Sequence, residues 1–317
     1  MFKTKNTEII LFTAGAVFIQ LTVCLSGSSF YLTQLTMSAY YTVVAVSLTL
    51  FMGFSGQISL CQGAFFAVGG YTAALLFKYN YNITAGLPLV MLVILVLAVM
   101  LGKSVLKLKG HYLALATLAA GIIIYKFLLS SPLMGQADGI SGTGPLTILP
   151  GITVSSSLNE RIFNYYFATG FMLTVYFFLK TLVQSPAGLL LKAVHADENA
   201  AEALGIDTAR IKLKGFIIAA VCAGLAGFFA AHYNGGISPS QAHYTSSIKY
   251  VAIVALSGFS NLRRTLLLGM LLYFISLRGY FGVFDEAVFA VILIISMLLN
   301  YNIFSALRAA FGRTGKA

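Results

Sequence analysis

The sequence has no tryptophan, few charges and only three cysteines, and each scarcity removes a class of protein. Charged residues make up 9% of 317 residues, against roughly 25% in soluble domains, so most of the surface faces something other than water. Cys24, Cys61 and Cys222 lie far apart in apolar or small-residue runs. They form neither a disulfide framework nor a metal set and read as small core residues. No HExxH, GxSxG, CxxC or Walker motif occurs, and although His195 stands near Asp197, no Ser or Cys completes a nucleophilic set. No catalytic residue, metal or cofactor is therefore expected. Carboxylates are also scarce: Glu8, Asp285 and Glu286 fall at the ends of apolar runs, which argues against an ion-coupled transporter with buried titratable groups.

What is present is apolar: 59% of the residues are hydrophobic. Charge-free runs such as residues 87–101 and 287–299 suit the hydrocarbon core of a bilayer, about 30 Å thick. The pattern predicts an all-α polytopic membrane protein with about ten transmembrane helices (eight to ten), broken or re-entrant segments included. Spans are expected near residues 8–26, 34–52, 60–78, 86–106, 111–129, 162–182, 213–234, 247–262, 265–282 and 287–305. Glycines crowd the third and eighth, which leaves both open between crossing and re-entrant forms. Lys3 and Lys5 before an apolar stretch resemble a signal peptide, but no obvious cleavage site precedes a soluble domain, so the stretch reads as a retained first span.

With the N-terminus inside, 15 of the 20 Lys and Arg residues fall on the cytoplasmic side, the others being Lys78, Lys126, Arg161, Lys249 and Arg278. This is the bias of the positive-inside rule, and it explains the net charge of +11 without nucleic acid. Both termini are then cytoplasmic, residues 130–161 form an external Gly-rich loop and residues 184–212 a cytoplasmic loop. In that loop, residues 197–204 are strong helix formers stopped by Gly205. Ala201 and Leu204 are expected to share a face, with Asp197, Glu198 and Glu202 toward solvent or a partner's basic groups. On physical grounds alone, a joining loop helix and a docking helix remain equally open.

The stretch ENAAEALGI (198–206), followed by Arg210, Lys212 and the span GFIIAAVCAGLAGFFAAHYNGGISP, resembles the coupling region of ABC-importer permeases. In detail it is similar to the branched-chain amino acid permeases, in particular their LivM-type subunit. Three further stretches agree in order and spacing: MGFSGQISLCQGAFFAVGGYTAAL (52–75), KLKGHYLALATLA (107–119) and MGQADGISGTGP (134–145). The chain departs from that family at Cys61 and Gln62, where Gly-His is usual. It departs again at SGFSNLRRT (257–265), in place of a Gly-rich turn, and in lacking an Arg-Pro-x-Gly ending.

The resemblance implies a single transmembrane permease domain over residues 1–317 with the ABC-importer permease fold, in a bacterial-type cytoplasmic membrane. It further implies transport of branched-chain or related amino acids, with urea or short amides as the alternative. The implied partners are a second, homologous permease subunit, two ABC ATPase subunits and an external solute-binding protein. The coupling residues would be Asp197, Glu198, Ala201, Glu202, Leu204 and Gly205. A secondary transporter, a membrane enzyme and a channel are the rivals, and the channel is the hardest to separate by composition.

Glycine costs about 1 kcal/mol in a helix interior relative to alanine, so Gly53, Gly56, Gly63, Gly69 and Gly70 call for a return. Close helix packing is one. The other is a helix broken at depth, whose free backbone groups suit the two ends of an amino acid zwitterion. On that reading Gly56, Gln57, Ser59, Gln62 and Thr117 line the substrate path. His111 and Tyr112 read as interfacial anchors and Lys126 as a snorkelling side chain. The external glycine run lacks the Lys-Ser or Lys-Thr of a phosphate loop and suits a cap or a docking surface, which His232, Tyr233 and His243 would join.

Overall fold

The computed structural model describes residues 30–79, 81, 86–108, 110–149, 152–155 and 160–300. The expected first span, the termini and their charges, and the end of the last span lie outside them. Among the described residues the chain is almost wholly helical. The longer helices are α1 (Phe30–Ser55), α2 (Gln62–Lys78), α3 (Gly86–Val105), α4 (His111–Ser130) and α5 (Arg161–Gln184). They continue, after two short helices, as α8 (Thr208–Asn234), α9 (Tyr244–Leu256), α10 (Leu262–Leu277) and α11 (Asp285–Asn300). Five of these, α1, α3, α4, α5 and α8, are long and apolar enough to cross a membrane. At 13 residues α9 covers about 20 Å, short of a crossing on its own.

The centre of the molecule is α1, buried almost throughout from residue 34 to 55 and surrounded by α5, α8, α9 and α10. Its buried threonines do not need water, because Thr36, Thr42 and Thr49 each donate to the carbonyl four residues back, at 2.6–3.0 Å. Thr49 also reaches Thr265 Oγ1 at 3.0 Å, and Ser257 meets the same hydroxyl at 2.7 Å. This chain of hydroxyls ties α1 to the turn between α9 and α10. By contrast α3 and α4 are peripheral, with outward rows such as Leu92, Leu95, Val96 and Met100 on α3 that suit lipid.

The tightest seam joins α2 to α8. A Cβ on Gly69 would stand 1.9 Å from the carbonyl oxygen of Gly224, and one on Gly227 would stand 1.8 Å from that of Phe66. Only bare backbone fits, and lipid-embedded helices with small residues approach in this way. For Gly69, Gly227 and Gly224 the close-packing explanation is the one the structure supports.

Residues 130–161, expected as a loop, carry short strands. Strand β1 (Ile140–Ser141) pairs antiparallel with β4 (Gly236–Ile237), and β2 (Leu146–Leu149) pairs with β3 (Ile152–Val154). The β1–β4 pair stitches the Gly-rich segment to the end of α8. His232 and Tyr233, expected at an outer surface, are instead buried, and His232 Nδ1 lies 2.8 Å from the Gly144 carbonyl oxygen. The Gly-rich segment meets His232 at the end of α8, while Tyr233 packs against Tyr40 of α1.

Candidate functional site

Between α1 and α2 the chain leaves the helix for residues 56–61. Gly56 turns it with φ +69°, in the left-handed region that L side chains avoid. The break then runs inward. Leu60 N donates to Thr117 Oγ1 at 3.0 Å, and Thr117 donates on to the Ala114 carbonyl oxygen at 2.9 Å. At the buried start of α2, Gly63 N donates to Ser247 Oγ of α9 at 3.1 Å. A helix beginning inside the protein leaves N–H groups that need partners, and here a neighbouring helix supplies one.

The predicted path residues therefore gather at one place in differing states. Gly56 is exposed, Gln57 is 9% exposed, and Ser59 is fully buried with its hydroxyl 3.3 Å from Cys61 Sγ. Gln62 is also fully buried, and neither atom of its amide has a hydrogen-bond partner among the described residues. Thr117 joins them through backbone, serving as a strut for the break.

A cavity of about 550 Å³ opens at the break, lined among others by Gly53, Gly56, Ile58, Lys192, His195 and Phe259. His195 is the residue that sequence reasoning set aside once no nucleophile was found beside it. A Cβ on Gly56 would lie 3.0 Å from its Nδ1, so the imidazole rests directly on the turn. The Phe259 carbonyl presses on Gly53 in the same manner, where a Cβ would stand 2.0 Å away. Phe259 itself has φ +50°, and Gly258 φ +85°. The segment that departs from the family pattern is thus a tight turn seated on α1.

His195 comes from α6 (Pro186–Ala196), a helix that was not expected within residues 184–212. Ser185 precedes Pro186 at its first position, a start signal available in the sequence. The expected coupling helix follows as α7 (Glu198–Ala203). Asp197 caps it, its Oδ1 accepting from Asn199 N at 2.9 Å and Ala200 N at 3.0 Å, and Gly205 ends it with φ +81°.

The expected faces of α7 need correction. Ala201 is buried at 3% exposure while Leu204 stands 81% exposed, so the two do not share a face. Leu204 falls one residue past the helix, where the chain is already turning into Gly205. Glu198 points inward rather than to solvent and takes Lys212 Nζ at 2.6 Å, the lysine side chain being 3% exposed. Glu202 accepts from Thr208 Oγ1 at 2.6 Å. Two of the three carboxylates thus anchor α7 to the first turns of α8.

Residues 30–299 match a family model described as branched-chain amino acid transport system / permease component. The high-affinity branched-chain amino acid transport system permease protein LivM of Salmonella typhimurium is 33% identical over 258 residues, covering 75% of this chain and 60% of that protein. Its Escherichia coli counterpart is 32% identical over the same shares. A probable branched-chain amino acid transport permease protein LivM of Methanocaldococcus jannaschii is 26% identical over 74% of this chain and 76% of that one. The chain spans 60% of the length of the two bacterial relatives. Among solved structures, PsaBC from Streptococcus pneumoniae in complex with Fab aligns over 86% of this chain and 90% of that one at 17% identity, with a TM-score of 0.43, too loose a likeness to bear on the fold.

Proposed function

The chain belongs to the branched-chain amino acid transport permease family, and from that premise we propose that it is the membrane subunit of an ABC importer for branched-chain amino acids. In this reading residues 1–317 form one permease domain of about ten crossings in a bacterial-type cytoplasmic membrane, with both termini inside. A homologous second permease completes the path, an external binding protein delivers the solute, and two ATPase subunits supply the energy. The chain performs no catalysis of its own.

The observation that carries this reading is the state of α7. Its cap closes its own first turn and its ion pair and Glu202–Thr208 contact fasten it to α8, while Leu204 projects 81% exposed from its end. An isolated loop helix needs no such anchoring, whereas an element that must receive a push does. Force applied at α7 passes through Glu198–Lys212 into α8 and through the adjoining α6 to His195, which rests on Gly56. Asp197, Glu198, Ala201, Glu202, Leu204 and Gly205 form the coupling element within residues 184–212. Gly56, Gln57, Ser59, Gln62 and Thr117 line or support the inner part of the path. Residues 130–161 act as the external cap.

The test is a mild-detergent pull-down of the tagged chain beside its Leu204→Glu variant, followed by uptake of labelled leucine, isoleucine, valine and urea. An ATPase subunit accompanies the native chain, is lost with the variant, and the three amino acids are taken up. A native chain that brings down no ATPase subunit would return the channel and the secondary transporter to first place.

A further inference from the structure

A second cavity, of about 340 Å³, lies between the turn at Pro239–Ala242 and helices α9, α10 and α11. Its volume sits near the lower end of the roughly 300–1,000 Å³ of small-molecule sites, which favours a compact ligand. Tyr41 lines it and stands about 17 Å along α1 from Phe30 at about 1.5 Å per residue, near the middle of that 26-residue helix. The cavity therefore reaches the depth at which transporters place their solutes.

The wall is chemically unusual for a chain so poor in charge. Lys249 of α9 lines it and forms an ion pair with Asp285 at the start of α11, both side chains largely buried. Glu286 lines the same cavity. The Asp285 Oδ2 atom also accepts from Ser276 at 2.9 Å, whereas its buried Oδ1 has no donor among the described residues. Tyr273 likewise lines the cavity, is 5% exposed, and its phenolic oxygen has no partner among the described residues. Burying a hydroxyl without a hydrogen bond costs on the order of 1–3 kcal/mol, so an unpartnered phenol within a cavity wall points to a group that arrives from elsewhere. Leu277 and the Tyr250 ring supply apolar wall. A ligand matching this surface carries a positive and a negative end close together beside a small aliphatic body.

We propose that this cavity is a binding site for a free aliphatic α-amino acid, its carboxylate taken by Lys249 and Tyr273 and its ammonium by Glu286 with Asp285 beside it. The Tyr41 hydroxyl, 3.3 Å from Gln241 Oε1, then forms the partition between this cavity and a neighbouring one of about 250 Å³ near Asn234. The assignment rests on the amino-acid permease reading above and adds where the solute is held.

The experiment uses the full chain with its co-purifying subunits in lipid nanodiscs, free of binding protein, and measures equilibrium binding of labelled leucine, with uptake in vesicles measured alongside. Tyr273→Phe removes only an oxygen that has no partner, so it keeps the fold. It should weaken leucine binding by about tenfold, and Lys249→Met should weaken it further. Isocaproate, which lacks the ammonium, and isoamylamine, which lacks the carboxylate, should each compete at least tenfold more weakly than leucine. Leucine uptake by the native complex with unchanged binding in Tyr273→Phe, or with no binding in the nanodisc, overturns this site and leaves the permease reading standing. Equal competition by isocaproate also overturns it. A native complex that takes up none of leucine, isoleucine and valine overturns the permease reading, and the site with it.

Discussion

Two glycine-rich regions of this protein look alike in sequence and do opposite things. Along the α2–α8 seam, Gly69 and Gly227 sit within regular helices, and their value is the absent Cβ, which lets one backbone lie on another, while the bare Gly224 admits the Ile94 side chain of α3 as well. At residues 56–61 the chain is not helical, and Gly56 is needed for its φ of +69°. Substituting the first kind separates two helices. Substituting the second strains one turn and disturbs the imidazole of His195, a side chain able to move aside. Composition counts both kinds equally, but their energetics differ by severalfold.

That contrast sets an order of expected effects. Gly227→Leu places carbon 1.8 Å from the Phe66 carbonyl oxygen, and backbone cannot step away without opening the seam. It should cost about 3 kcal/mol or more and leave little protein in the membrane fraction, as read by quantitative blotting and thermal aggregation in detergent. Normal accumulation would show that α2 and α8 do not pack this closely.

Next comes Lys212→Met, which breaks a largely buried ion pair and should destabilise by about 3–5 kcal/mol. The double change with Glu198→Gln should recover much of that loss. A double variant as unstable as the single would mean that the ion pair does not hold α7 to α8. In contrast with the seam, this region then tolerates replacement as long as both charges go together.

The smallest effect is expected at the break itself. Gly56→Ala forces a side chain into the left-handed region at a cost of about 1–2 kcal/mol, with amounts in the membrane close to native. Uptake should fall more than stability does, and His195→Ala in the same chain should return part of it by clearing the 3.0 Å contact. A double-mutant cycle with zero coupling would separate His195 from the turn.

Much of the local structure was legible from residue patterns. Asp197 before a run of helix formers, with Gly205 after it, specified α7 to within a residue, because a cap and a left-handed stop act locally. The Gly-Gln interruption after α1 was legible as a break for the same reason. The orientation of Glu198 and Leu204 was not. Helical spacing places residues on faces, but which face is inside depends on Lys212, 14 residues away, arriving on α8. The burial of His232 depended in turn on the Gly144 carbonyl, 88 residues away.

By itself, the sequence determined that the chain is a multi-pass membrane protein, where most of its long helices fall and which family pattern it follows, since hydropathy, caps and glycine turns are properties of short segments. Only the tertiary structure decided that α1 is the buried axis while the more apolar α3 faces outward, because hydrophobic residues suit protein and lipid alike. It also paired Lys249 with Asp285 and set Lys249 and Tyr273 in the wall of one cavity. Such pairings join residues from different helices, and no periodicity within a single helix records them.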